Sequence, residues 1–331
     1  MLFNFCFNLK VILSVFADLN SSGDREQAIK NTSTTMAHGQ TALADHAKAS
    51  WVRPLMPSWL MVAPFVLLHL GLVSLVWISF TYTALFLCIG LYVIRMFGIT
   101  GGFHRYYAHK SYKTGRVFQF VLAWIGCAAM QKGPLWWASH HRDHHRYSDT
   151  EADPHSPHIT SFWWSHVGWV LGNDYHEITW KNIPDFKKYP ELLWLDQLHW
   201  LPGLTTALLC YAIDGLSGLA WGFLFSTILL YHGTFVINSL CHLWGGRRYK
   251  TTDDSRNNFI LALITLGEGW HNNHHHYQGS VNQGFYWWEI DISYCILLAF
   301  SKIGLVWDLR RPPSRALSSS LLMRQPFSPS T

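Results

Sequence analysis

Charge is scarce in this chain of 331 residues. Asp, Glu, Lys and Arg make up 14% of it, against roughly 25% in an average soluble domain, and that shortage argues against an ordinary water-soluble fold. Paired cysteines are missing too. The six cysteines, Cys6, Cys88, Cys127, Cys210, Cys241 and Cys295, form no C-x-x-C, so they read as reduced packing residues rather than disulfides or a zinc site. There is no C-x-x-C-H haem motif, no flavin G-x-G-x-x-G and no ferredoxin cysteine run. Dense basic clusters are absent as well: the net charge of +5 comes from scattered Lys and Arg, which excludes a nucleic-acid partner.

Aromatic residues are abundant. They reach 16% of the chain, with 18 Trp, and Trp and Tyr populate the headgroup belts of membrane proteins. The mean hydropathy of +0.07 is modest, so much of the chain must lie outside a bilayer. Residues 57–80 form an uncharged apolar stretch with one internal His69, and residues 81–97 follow almost at once. Residues 200–213 and 216–237 form a second apolar pair, separated by Asp214-Gly215. Residues 117–131 are apolar but short, ending at Lys132-Gly133-Pro134, and read as a helix packed in or on the membrane. Residues 281–309 carry the run Phe285-Tyr286-Trp287-Trp288 and then an amphipathic stretch suited to the interface.

Basic residues orient these spans. Apart from Arg95 at the end of the second stretch, every Lys and Arg falls before residue 57, between 105 and 188, or after 246. Four spans with both termini and the middle loop on the cytoplasmic side satisfy the positive-inside rule. The expected architecture is an all-α integral membrane protein, with four transmembrane helices and a cytosolic helical cap. Residues 1–50 read as a disordered or extension segment, with Met36 as an alternative start. Residues 51–309 read as the membrane domain and 310–331 as a disordered Ser/Pro-rich tail.

The chain is also rich in clustered histidine. Residues 270–277 read W-H-N-N-H-H-H-Y, placing His271, His274 and His275 at i, i+3 and i+4. The same spacing recurs at His141, His144 and His145, and on a helix it puts three imidazoles on one face. His104 and His109 form a looser pair, and Asn238 and His242 lie one helical turn apart. Spaced i and i+5, His104 and His109 converge only if the helix bends, which the glycines in 98–102 make reasonable. Imidazole suits Zn, Cu, Fe and Ni alike, so residue type does not choose the metal. Nine histidines are too many for one zinc and about right for two metals. Two redox metals beside a membrane point to oxygen activation on a hydrophobic substrate. A histidine-relay metal transporter is the alternative, but its path would want polar groups inside the spans.

H-R-Y-Y-A-H, H-R-D-H-H-R-Y-S-D-T-E-A-D-P-H, N-S-L-C-H-L-W-G and G-E-G-W-H-N-N-H-H-H-Y stand in this order between the apolar stretches. Together they resemble the membrane acyl-CoA Δ9 (stearoyl-CoA) desaturases, bacterial-type members above all, over about residues 55–310. The resemblance implies a cis double bond inserted at C9 of a saturated 16:0 or 18:0 acyl-CoA, using O2, two electrons and two irons. It implies iron ligands at His104, His109, His141, His144, His145, His242, His271, His274 and His275, with Asn238 holding one iron through water. Gln131, Trp137 and Thr234 would shape the bend of the acyl tunnel; ordinary helix packing is the competing reading. A separate electron donor is implied: ferredoxin, cytochrome b5 or a similar carrier with its reductase. So is a multi-pass location with the active site facing the cytoplasm, in the plasma membrane of a bacterium or the endoplasmic reticulum of a eukaryote. An acyl-lipid desaturase or a hydroxylase on the same scaffold is not separated by these motifs.

Several neighbours carry two readings. Asp149, Glu151, Asp153 and Glu268 could orient ligand imidazoles, cap helices or face solvent, while His140 and His276 sit off the ligand face. After D-P-H, where animal members often have a basic pair for the CoA phosphates, this chain reads S-P-H-I-T with His158 and Ile159. Arg247, Arg248 and Lys250 could take that role, or the acyl carrier is not CoA.

Overall fold

The computed structural model describes residues 59–172, 175 and 177–322. The expectation for residues 1–50 falls outside them.

The fold is mostly helical. Helix α1 (Trp59–Gly71) tightens into a 3-10 turn at Leu72–Val76. Helix α2 (Tyr82–Phe97) starts at Thr81, whose hydroxyl accepts from the Ala84 N–H as an N-cap. It runs straight on as a π-helix over Gly98–Ala108. The short antiparallel pair β1 (Lys113–Thr114) and β2 (Val306–Trp307) ties this region to the far end of the chain. Helix α3 (Arg116–Cys127) is shorter than the 117–131 stretch. Its Gly126 packs so closely on Gly98 that a Cβ on Gly98 would lie 2.6 Å from the Gly126 nitrogen. Helix α4 (Pro134–Tyr147) takes Pro134 at its first turn, where a missing N–H costs nothing. Asp196 Oδ1 accepts from the N–H groups of Leu135 and Trp136 there.

Among the described residues, two helices are long and apolar enough to cross a membrane, Tyr82–Ala108 and Leu201–Leu243. The second has 43 residues. At ~1.5 Å per residue a straight helix of that length would be about twice as long as the ~30 Å hydrocarbon core is thick. It is not straight. Asp214 and Gly215 leave helical geometry, with Gly215 at φ +54° and ψ −139°, kinking α5 (Leu201–Ser217) near its end, before the π-helix Gly218–Phe225 and α6 (Ser226–Asn238). Glycine reaches that conformation without a Cβ clash. The Thr81 hydroxyl bonds the Asp214 carboxylate, joining this break to the turn between α1 and α2.

The core contains Met96, Phe103, Tyr107, Leu122, Leu135 and Leu230, all fully buried. Further short helices follow: α7 (Leu240–Leu243), α8 (Phe259–Ile264), α9 (His271–His276) and α10 (Ile292–Lys302). In the 281–309 region Phe285 turns inward, while Trp287 is 90% exposed.

The expected disordered tail is corrected for residues 310–322. Helix α11 (Ser314–Ser318) forms there, and the strand-like ends are pinned by Arg310 N–H to Ser111 O (3.0 Å) and Leu322 N–H to Arg248 O (2.8 Å). Ser/Pro composition weakens local structure, but these distant partners supply the backbone hydrogen bonds that the segment cannot make itself.

Candidate metal centre

The nine histidines fall into two groups. His104, His109, His141, His145 and His274 bring ligand nitrogens within 4.8 Å of one another, and so do His144, His242, His271 and His275. The allotment cuts across the sequence boxes. In each H-x-x-H-H box the i, i+4 pair grips one group, and the residue between them turns to the other: His141 and His145 against His144, His271 and His275 against His274. Helices α4 and α9 therefore lie between the two groups. A single shared face is what the spacing predicted. Two centres a short distance apart instead divide that face.

The π-helix solves the spacing of the first pair. Its i→i+5 bonding puts the His109 N–H on the His104 carbonyl at 3.1 Å and brings the two rings to 4.7 Å. The glycines gave the right place for a distortion; the distortion is a widened helix rather than a bend.

Carboxylates stand behind the imidazoles. Asp149 Oδ2 accepts from His242 Nδ1 at 2.7 Å, Asp253 Oδ2 from His275 Nδ1 at 2.8 Å, and Asp153 Oδ1 from His144 Nδ1 at 3.2 Å. Glu268 Oε2 lies 2.6 Å from His104 Nδ1, and Arg105 holds the same carboxylate from behind at 3.1 Å. A carboxylate only accepts, so the Nδ1 carries the proton and the Nε2 lone pair faces inward. Glu151 makes no such contact: it is exposed. Asp253 was missed in the sequence, because T-T-D-D-S looks like an ordinary polar turn.

Electrostatics favours the neutral form of six of these imidazoles. Burial, then the neighbouring histidines, pushes His109, His141, His145, His271 and His274 well below the usual histidine range. Burial also lowers His275 to about 4, against the pull of Asp253. For Asp253 itself burial is outweighed by His275 and Ser255, which hold the carboxyl far below its ordinary value. His144 goes the other way: the Asp153 carboxylate outweighs burial and raises it.

This donor set fits metal ions. Nε2 atoms meet in pairs at 2.9–3.1 Å: His104–His274, His109–His141, His141–His145, His145–His274 and His242–His271. One N–H satisfies one lone pair, whereas a cation at the centre satisfies all of them. His275 Nε2 and the Nδ1 atoms of His145, His271 and His274 are buried without a hydrogen-bond partner. An all-nitrogen set of neutral imidazoles suits Fe, Zn, Cu or Ni.

An apolar cavity of about 360 Å³ reaches both groups, touching His104, His141 and His271. Gln131, Trp137, Thr234 and Asn238 line it. Gln131 Nε2 donates to Thr234 Oγ1 at 2.7 Å, and the Trp137 ring stacks on His141 at 4.7 Å. Two flanking histidines join neither group. His276 stacks on Tyr249 at 4.0 Å and bonds the Ala316 carbonyl, and His140 bonds the Trp136 carbonyl.

Long apolar helices, two convergent histidine groups and an apolar cavity beside them define a class: mostly helical, membrane-type proteins with paired histidine-rich centres. Within that class the chain belongs to the fatty acid desaturase family, which it matches over residues 77–292. It is similar to the acyl-CoA C20 Δ5-desaturase of Anemone leveillei, 35% identical over 273 residues, covering 80% of this chain and 86% of the relative. It is similar to Δ9 acyl-lipid desaturase 1 of Arabidopsis thaliana, 39% identical over 239 residues, covering 71% and 77%. A third relative is the chloroplastic palmitoyl-monogalactosyldiacylglycerol Δ7 desaturase of the same plant, 36% identical over 254 residues, covering 75% and 68%. The family supports an oxidoreductase of lipid metabolism. These relatives are plant proteins that differ in double-bond position and acyl carrier, so they are broader than the expected bacterial-type Δ9 group.

Proposed function

We propose that this chain inserts a cis double bond at C9 of a saturated 16- or 18-carbon acyl chain, carried as a CoA thioester, in unsaturated fatty acid biosynthesis. The observation that carries the reading is the apolar cavity meeting both histidine groups at His104, His141 and His271. His104, His109, His141, His145 and His274 would hold one iron. His144, His242, His271 and His275 would hold the other, with Asn238 completing it through water. With O2, such a pair of irons supplies the oxidising power to break an unactivated methylene C–H bond.

The chain's own residues do the rest. The carboxylates of Asp149, Asp153, Asp253 and Glu268 fix tautomers and ring orientation. The apolar cavity keeps water from the reacting carbons. Gln131 and Thr234, joined across the cavity, and Trp137, stacked on His141, set the bend that presents C9 and C10. The break at Asp214-Gly215 supports four spans rather than two, with the catalytic cap on the cytoplasmic side.

One observation favours a second reading, an acyl-lipid substrate. Arg247 is tied to Asp254 at 2.9 Å and Arg248 to the Glu289 carboxylate, so two of the three cations that could meet CoA phosphates already have partners and only Lys250 stays exposed without an ion pair among the described residues. A hydroxylase on the same scaffold differs only in product.

The test is the fatty-acid profile of an unsaturated-fatty-acid auxotroph expressing the chain with a reductase system. Double-bond position is read by mass spectrometry of disulfide adducts. New 16:1 or 18:1 unsaturated at C9 is expected. Hydroxy acids would move the assignment to a hydroxylase, and a bond at another carbon would overturn C9 selectivity. Feeding labelled acyl-CoA and labelled acyl-lipid to membranes then separates the two carriers.

A further inference from the structure

Three further histidines stand outside both metal groups and form a chain of their own. His69 is on α1, His232 on α6, and His166 on the π-helix Trp164–Gly168. His69 Nε2 meets His232 Nε2 at 3.2 Å, and His232 Nδ1 meets His166 Nε2 at 3.0 Å. His166 Nδ1 then meets the Ser239 hydroxyl at 3.0 Å. Ser239 is fully buried at the step from α6 to α7, next to Asn238, and its carbonyl accepts the His242 N–H at 3.3 Å. His69 and His232 are partly exposed, whereas His166 and Ser239 are buried, so the chain runs inward and ends beside the four-histidine group. Phe65 and Phe235 line the cavity and pack on its rings, at 4.1 Å from His69 and 5.7 Å from His166. Ionisable side chains inside apolar spans are costly and rare, and they mark ion or proton paths.

One carbonyl sets the direction of every proton. His69 Nδ1 lies 2.8 Å from the Phe65 carbonyl, which only accepts, so Nδ1 carries the His69 proton and Nε2 accepts. His232 then donates from Nε2 and accepts at Nδ1, and His166 donates from Nε2 and accepts at Nδ1 from the Ser239 hydroxyl. Burial, then His232, lowers His166 to about 4, which keeps a single proton on that ring. If each proton shifts one step along the chain, a proton enters at Ser239 and another arrives on His69; the reverse shift returns it. In that second register His166 donates to Ser239 Oγ, whose own proton turns to the Phe235 carbonyl at 3.0 Å. Among the described residues His69 bonds nothing beyond His232 and the Phe65 carbonyl, so the chain ends there. Desaturation balances only with outside protons: –CH2–CH2– plus O2, two electrons from the donor and two protons gives –CH=CH– plus two waters. The apolar cavity that keeps water from the reacting carbons also keeps free protons away. We propose that Ser239, His166, His232 and His69 form a proton store for the site, which takes up one proton at Ser239 while the cavity is open to water and hands it back there when O2 is reduced. This rests on the desaturase reading.

The experiment uses the full chain in phosphatidylcholine nanodiscs. In the metal-free protein, nitrogen NMR of labelled histidine reports which nitrogen of each ring is protonated, with signals assigned by His69→Gln, His166→Gln and His232→Gln. His232 and His166 should both carry Nε2–H or, with the store filled, both carry Nδ1–H beside a doubly protonated His69. Nε2–H on one ring and Nδ1–H on the other breaks the chain and overturns the inference. In the iron-loaded protein with a reductase system, His232→Gln keeps a donor and an acceptor at that place but cannot pass a proton on. Product should form about tenfold more slowly, short of the loss expected for an acid in contact with the reacting atoms, with a larger solvent deuterium isotope effect and an unchanged KM for the acyl substrate. His69→Gln, at the far end of the chain and on another helix, should show the same change. A wild-type rate in both variants, or a slower rate without a larger isotope effect, returns the three histidines to helix packing and overturns the inference. A wild type that forms no product overturns the desaturase reading instead, and the proton register of the metal-free protein is read independently of it.

Discussion

His275 Nδ1 donates to Asp253 Oδ2 across 2.8 Å, joining a histidine of α9 to a carboxylate 22 residues earlier. Asp253 is itself held by the Ser255 N–H at 3.0 Å and the Thr251 hydroxyl at 3.0 Å. The loop therefore fixes the carboxylate, the carboxylate fixes the ring, and the ring aims Nε2 into the four-histidine group.

Asp253→Asn removes the charge and keeps the shape. Losing such a partner typically weakens metal affinity by about 10–100-fold. On the proposed di-iron reading, the iron-loaded variant should lose roughly one of two irons to a competing chelator at a concentration that leaves the wild type loaded, with helix content unchanged. Iron per protein after chelation is the measurement; wild-type retention would remove Asp253 from the site's support. His144→Ala and His271→Ala are harsher, and each should abolish product while membrane insertion persists.

Arg105 offers a contrast between buried and surface ion pairs. It is 1% exposed and bonds Asp291 at 2.9 Å and Glu268 at 3.1 Å. Arg105→Met leaves two buried carboxylates without their cation, a loss of about 3–5 kcal/mol. Arg116→Met, at the exposed pair with Glu191, should change stability little, because solvent screens that pair. Thermal unfolding in detergent should separate the two variants clearly, and equal midpoints would refute this ranking.

The metal-free protein should lose stability in mild acid. His109, His141, His145, His271, His274 and His275 all have folded values below the unfolded 6.5, with His275 at about 4. Below pH 6.5 the unfolded chain binds protons that the folded chain refuses, so stability is full above that point and drains as pH falls. Each histidine contributes a slope of up to about 1.4 kcal/mol per pH unit. His144, whose value is raised, has the opposite sign but is one against six. Unfolding midpoints between about pH 7.5 and about pH 5.5 should therefore fall toward acid; a flat profile would contradict the neutral-imidazole arrangement.

Thr234→Val tests the cavity. It deletes the acceptor of Gln131 Nε2 and leaves an amide unpaired in apolar surroundings, a local penalty of about 1–3 kcal/mol. Product should fall about tenfold, or the double bond should scatter from its single position, with folding intact. Unchanged yield and position would return Gln131 and Thr234 to ordinary helix packing.

Much of this protein could be read from the sequence, for local reasons. The H-x-x-H-H boxes, the scarcity of charge and the apolar stretches are short-range patterns. They fix which residues are available and which segments avoid water, because helical periodicity and hydropathy act over a few turns. The glycines of 98–102 even marked where α2 would deform. Only the tertiary structure decided how the histidines divide between two groups, since α4 and α9 present their ligands to both sides from between them. It alone chose Asp253 over Glu151 as a supporting carboxylate, and it ordered residues 310–322 against partners near 111 and 248. Those outcomes depend on which distant backbones meet. A long-range contact leaves no periodic trace in the segment that makes it, so composition saw a polar turn and a loose tail where packing produced a buried carboxylate and a paired strand end.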